Sequence, residues 1–279
     1  MRDALIFTIV LLFGIYFLSF DVSGALMNGN VTFVEVGKIV QEEEERSFTV
    51  VDESAEETAT TVPILMYHYV RDVNINYDQL GWKLSVSPEE FERQLKYLKD
   101  NGYTAIHLSD LVDGKVPERA VVLSFDDGTS DFYTNAMPLL KKYNMTASNA
   151  IITGMIGDGN HMTFEEIQDC IDAGIEITAH TDTHPNLSYI TFDQAKDQIV
   201  RSREILETTF NIDVNAFVYP SGAYTDRIVG FLEEQGFEIA LTTVPALADL
   251  EEDNMLLLPR QRIDNRVSFD SFVKKLSGN

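Results

Sequence analysis

Cys170 is the sole cysteine of a chain of 279 residues. That excludes an intramolecular disulfide framework and a cysteine-rich zinc site. Basic residues are scarce as well, with 21 Lys and Arg against 45 Asp and Glu, a formal charge of −24. Nucleic-acid binding needs clustered cations to meet phosphates, and this chain lacks them. No internal repeat is visible. Long uncharged apolar runs are confined to one place, residues 4–20. What is present in quantity is core material. A hydrophobic share of 44% with 10% aromatics excludes a disordered polyanion, and the length suits one large domain or two small ones.

The seventeen residues of the apolar run reach the short end of a membrane span and exceed a usual signal-peptide core. Residues 1–20 are therefore expected to be a membrane anchor, or a signal peptide cut near Ser23-Gly24-Ala25. Either sends the rest of the chain outside the cytoplasm, membrane-anchored or secreted. Residues 21–62 hold ten acids against two bases and read as an acidic extracellular linker kept extended by like charge.

From residue 63 to 279 the texture is that of an α/β domain. Buried strands are expected at 62–68, 120–125, 147–152, 175–180, 215–220 and 238–243. Helical patterns lie between them. The helix of 87–103 opens on Ser87 and Pro88 and closes at Gly102. Helical stretches at 135–143, 163–174, 191–210 and 226–237 follow, with capping boxes at Thr163 and Thr191. Alternation of strand and helix predicts a parallel sheet closed, or nearly closed, into a barrel, with its site at the carboxyl ends of the strands.

Four expected strands end in polar residues that an apolar core would not tolerate: His68, Asp126-Asp127-Gly128, His180, and Tyr219-Pro220-Ser221-Gly222. Adjacent carboxylates beside a buried strand are costly unless a cation shares them, although Asp also favours helix N-caps. His180 and His184 stand four apart, a metal-ligand spacing, but Thr181 replaces the Glu of an HExxH helix and Pro185 disfavours helix at His184. Two histidines with one carboxylate, leaving positions open to water, describe a catalytic rather than a structural metal site. His107 and His161 read as structural or surface residues.

SFDDG (124–128) followed by HTDTH (180–184) resembles the polysaccharide deacetylase family with its NodB-type domain. MYHYV (66–70), FVYPSGAY (217–224) and LPRQRI (258–263) are similar to the branch that includes extracellular poly-β-1,6-N-acetylglucosamine deacetylases. The resemblance covers roughly residues 62–279. It implies a distorted (β/α) barrel that removes N-acetyl groups from N-acetylglucosamine units of an envelope or extracellular polysaccharide. It further implies a divalent metal on Asp127, His180 and His184, zinc being the expected ion, with Asp126 as general base. Much of the family protonates the leaving amine from a histidine near the C-terminal end of the domain, and none follows His184 here; the resemblance to the branch with the MYH motif implies that His68 has that role instead. Tyr219, Pro220, Ser221 and Gly222 would form the substrate and oxyanion segment. Val218 stands where many members have an arginine, so Arg260 or Arg262 is expected to position the base. Ser221 replaces a typical aromatic, and Tyr67, Tyr69, Tyr219 and Tyr224 are candidate stacking faces for a sugar. The expected partners are the polysaccharide and, through the N-terminal helix, a membrane; the protein is expected to be a monomer. A catalytically idle sugar-binding member, an O-deacetylase and another carbon–nitrogen hydrolase are the rival readings.

Overall fold

The short apolar runs become strands in the structure, a computed structural model that describes residues 59–278. The expected anchor (1–20) and nearly all of the expected linker (21–62) lie outside the described residues. Among the described residues no helix is long and apolar enough to cross a membrane.

The main sheet contains β1 (Ile64–Tyr67), β2 (Thr104–Ile106), β3 (Ala120–Phe125), β4 (Ser148–Ile151), β5 (Glu176–Ala179), β6 (Ala216–Val218), β7 (Ile239–Leu241) and β8 (Gln261–Arg262). Every pairing within it is parallel, in the order β7-β6-β5-β4-β3-β1-β8, with β2 beside the first half of β3. The helices are α1 (Gln79–Trp82), α2 (Pro88–Asp100), α3 (Leu108–Val112), α4 (Met137–Tyr143), α5 (Phe164–Asp172), α6 (Phe192–Phe210), α7 (Asp226–Glu234) and α8 (Phe269–Lys275). The expected barrel is a curled half-barrel. Its two edges meet through one parallel bridge, Leu241 to Leu258, because β8 is only two residues long.

Strand β3 shows how the sheet is filled. All six residues are buried, as in a sheet covered on both faces. Val121, Leu123 and Phe125 face the helix layer, whereas Ala120 and Val122 join Ile64, Ala150, Ala216, Val218, Ile239 and Leu241 in the concave core. Higher on that inner face stands Ser124, and beyond it Asp126. The base of the half-barrel is thus filled largely by apolar groups, and the acids and histidines gather at its top.

Helix starts follow the sequence signals. Ser87 Oγ accepts from Glu90 N–H, and Thr163 and Thr191 form reciprocal boxes with Glu166 and Gln194. Phe91, Leu95 and Leu98 of α2 share one buried face, each contributing on the order of 1.5–3 kcal/mol. The expected helix at 135–143 is divided: Phe132–Ala136 is a π turn and α4 begins at Met137. Pro138 has no N–H for the carbonyl four residues back, and the ladder widens ahead of it.

Candidate active site

Six strand ends converge on a cavity of about 260 Å³. β1 delivers His68, β3 Asp126 and Asp127, β5 His180 and then His184, β6 Ser221, β7 Thr243, and β8 Arg262. Leu84 closes one side.

Asp126 is buried and its carboxylate is gripped on both oxygens by Arg260, Nη1 to Oδ1 at 2.6 Å and Nη2 to Oδ2 at 2.9 Å. Arg260 has no exposed surface, and two further donors are used, Nε on the Thr242 carbonyl and Nη1 on Ser124 Oγ. Burial alone would raise the Asp126 carboxyl, but Arg260, His68 and His180 together hold it well below the usual carboxylate range. The carboxylate stays ionised, its counter-charge being the guanidinium, so no metal ion is needed to share it.

Asp127 faces the other way. Its Oδ1 lies 3.5 Å from His180 Nε2 and 3.6 Å from His184 Nε2. His180 Nδ1 is 2.7 Å from the Val218 carbonyl, which only accepts, so this nitrogen carries the proton and Nε2 faces the cluster. One ligand atom from each of Asp127, His180 and His184 lies within 4.8 Å of the others. One carboxylate and two imidazoles so oriented fit a divalent cation. The N-cap alternative for the paired aspartates does not hold: Asp126 is spent on Arg260, Asp127 faces the two histidines, and the next helical turn starts only at Ser130.

The backbone is strained here. Asp127, Thr181, His184 and Ser221 all have positive φ, of 76°, 67°, 57° and 55°. Such residues cost about 1–3 kcal/mol each and persist only where neighbours hold them. The neighbours are evident. Thr181 Oγ1 accepts the His184 N–H, Gln198 accepts that of Thr183, and buried Asp182 is bonded by Thr153 Oγ1 and Arg201 Nε. Gly154 is also obligatory, since a Cβ there would lie 2.6 Å from the Asp182 carbonyl.

His68 stands between the two halves of the site, Nε2 at 3.9 Å from Asp126 Oδ2. Burial lowers its pKa against the pull of Asp126 and Asp127. The strand just beyond it is fastened by the π turn region: Asp131 accepts the Val70 N–H at 2.5 Å and Asn135 Nδ2 donates to the Val70 carbonyl at 2.7 Å.

Several expectations are corrected by this geometry. Arg262 lines the cavity but makes no hydrogen bond to Asp126; the arginine that holds Asp126 is Arg260 alone. Tyr219 is not at the cavity: it is fully buried, with its hydroxyl on the Leu256 carbonyl. Pro220 is buried beside it, and of the segment Tyr219–Gly222 only Ser221 lines the cavity. Gly222 acts through its backbone, since at φ 69° a Cβ would lie 2.2 Å from Thr243 Oγ1. Tyr67 is likewise core, its hydroxyl donating to Gln94. His107 and His161 are tied to local partners, the Gly174 carbonyl and Asp158. Sequence reasoning missed Leu84, Thr243, Asp131 and Asn135, none of which carries a motif of its own.

A curled parallel half-barrel with acids and histidines at the strand ends is the deacetylase fold. A family model for polysaccharide deacetylase matches residues 113–240. YxkH of Bacillus subtilis (strain 168) is 32% identical over 221 residues, covering 77% of this chain and 76% of that one. The poly-β-1,6-N-acetyl-D-glucosamine N-deacetylase of Staphylococcus aureus (strain MRSA252) is 27% identical over 240 residues, 77% of this chain and 82% of that one. Among solved structures, the Streptococcus pyogenes deacetylase PplD in complex with acetate superposes with a TM-score of 0.72 at 29% identity, covering 77% of this chain and 98% of that one. The chain belongs to the polysaccharide deacetylase family.

Proposed function

We propose that this protein is a divalent-metal-dependent hydrolase that removes N-acetyl groups from N-acetylglucosamine units of an extracytoplasmic polysaccharide. One observation carries the reading. A carboxylate held ionised by a buried arginine stands beside a carboxylate–histidine–histidine cluster in the same cavity. The Staphylococcus aureus relative's substrate supports the choice of sugar.

A cation held by Asp127, His180 and His184, zinc by the preference of such mixed ligand sets, would supply Lewis acidity toward the acetyl carbonyl. Asp126 is left free to accept the proton of the attacking water, because Arg260 fixes its orientation without taking its charge away. His68, with Nε2 3.9 Å from Asp126, passes the proton taken from the water on to the departing amine, which leaves Asp126 ionised again for the next turnover. The Ser221 backbone N–H is the expected donor to the oxyanion, its position set by the left-handed turn at 221–222.

Acetate release from N-acetylglucosamine oligomers, with and without chelator, tests the reading. Release that stops on chelation and returns with added zinc is expected. No metal-dependent release from any amino-sugar polymer would overturn it. The apolar run at 4–20 and the acidic stretch after it support an anchored or secreted placement outside the cytoplasm; protease added to intact cells should then reach the chain.

A further inference from the structure

Arg260 and Arg262 sit two residues apart on one extended segment, so their side chains share its inner face, about 7 Å apart along the chain. The deeper one is consumed by Asp126. Arg262, half-buried, lines the cavity and has no hydrogen bond, no carboxylate within salt-bridge distance and no aromatic partner. It is alone in this among the described arginines. Arg93, Arg201, Arg203 and Arg266 have carboxylates, Arg119 the Asn101 carbonyl, and Arg71 and Arg227 stack on Tyr69 and Phe192.

The charge-bearing neighbours of Arg262 are already committed. Asp126 is bonded to Arg260, Asp264 to Arg266, and Asp127 faces the two histidines. In a chain with more than twice as many acids as bases, a guanidinium without a carboxylate inside the reaction cavity is conspicuous. Its planar fork of donors matches carboxylate and phosphate groups in bidentate fashion, which a neutral hydroxyl cannot reproduce.

We propose that Arg262 binds an anionic group, a carboxylate or a phosphate, carried by the substrate next to the reacting acetamido sugar, so that the preferred polymer is anionic. The inference rests on the deacetylase reading and narrows its substrate class.

Acetate release by the full-length, metal-loaded chain is measured on three N-acetylglucosamine oligomers of matched length. One is neutral, one alternates with a carboxylate-bearing sugar, and one is linked by phosphodiesters. Wild type should favour one anionic oligomer by at least about tenfold in kcat/KM, less at high salt, and the better of the two names the source of the charge. In Arg262→Gln the anionic-to-neutral ratio should fall by roughly tenfold or more, mainly through KM. Arg262→Lys, which keeps the charge but not the fork, should recover part of it. The ratio is internal to each variant, so loss of folded protein cancels. A wild-type ratio near one on both anionic oligomers, or an unchanged ratio in Arg262→Gln, would overturn the proposal. Calorimetric binding of the same oligomers to Asp126→Asn needs no turnover. Charge-selective binding that Arg262→Gln abolishes in that background, with no acetate released by wild type, would sink the deacetylase reading and leave this one standing. Binding indifferent to charge would sink this one alone.

Discussion

Replacing Arg260 by Gln would leave Asp126 buried with no cation to hold it. The guanidinium is fully enclosed and makes four hydrogen bonds, two of them to Asp126. Removing one partner of such a pair costs about 3–5 kcal/mol, which for a domain of this size is a fall of about 6–20 °C in Tm. The pH dependence is the sharper test. In the wild type the Asp126 carboxyl sits below its ordinary value despite burial, because Arg260 heads the opposing influences. Its contribution to stability is therefore complete above the unfolded value of about 3.9 and is lost only as pH falls through the lower folded one. Without Arg260, burial wins and the folded value rises above the unfolded one. The ionised carboxylate then costs stability at neutral pH, and protonation relieves it. The Tm deficit of Arg260→Gln should be largest near neutrality and shrink as the buffer is made acid. The acid limb of kcat/KM should move toward neutral pH in step, since the base must be ionised to act. Thermal melts and acetate release over the same pH series measure both. A Tm deficit that does not change with pH, or an acid limb identical to wild type, would refute the argument that Arg260 sets the charge of Asp126.

Three further outcomes follow from the same geometry. Asp126→Asn should abolish acetate release while metal content stays at the wild-type level; loss of metal would mean the two aspartates have exchanged roles. His68→Ala should damage turnover of amide substrates far more than of activated acetyl esters, whose leaving groups need no proton, and equal damage would remove His68 from proton delivery. Gly222→Ala places a methyl 2.2 Å from Thr243 Oγ1 at a left-handed position, so Tm should fall by several degrees, corresponding to about 1–3 kcal/mol of strain, with activity reduced; a wild-type melting curve would show that the 221–223 turn yields freely.

Much of this site is legible in the chain because its chemistry comes from strand ends marked by abrupt changes of polarity. Phe125 gives way to Asp126, and Ala179 to His180, with no gradation between core and site. Helix starts are equally plain, since Ser87, Thr163 and Thr191 satisfy orphan N–H groups by rules local to four residues. What pattern cannot carry is depth. Arg260 and Arg262 look alike in LPRQRI, yet one rung of the sheet separates the arginine bonded to Asp126 from a cavity-lining one. Tyr219 shows the same difficulty: a tyrosine at a strand end can stack on a sugar or point back into the core, and the Leu256 carbonyl decides between them. Strands β2 and β8 escape notice because two or three residues show no periodicity, and half of β8 is charged.

The counter-charge of Asp126 comes from a segment made much later in synthesis. Arg260 meets Asp126 at a sequence separation of 134, through the same segment that bridges β7 and then pairs with β1 as β8. A ribosome has made Asp126, Asp127 and both cluster histidines long before it reaches Arg260. Until then Asp126 has no guanidinium to keep it charged, so a chain stopped short of Arg260 carries the Asp127–His180–His184 cluster without the ion pair beside it. The charge balance at Asp126 is thereby tied to synthesis having passed residue 260 and to the pairing of β8 with β1.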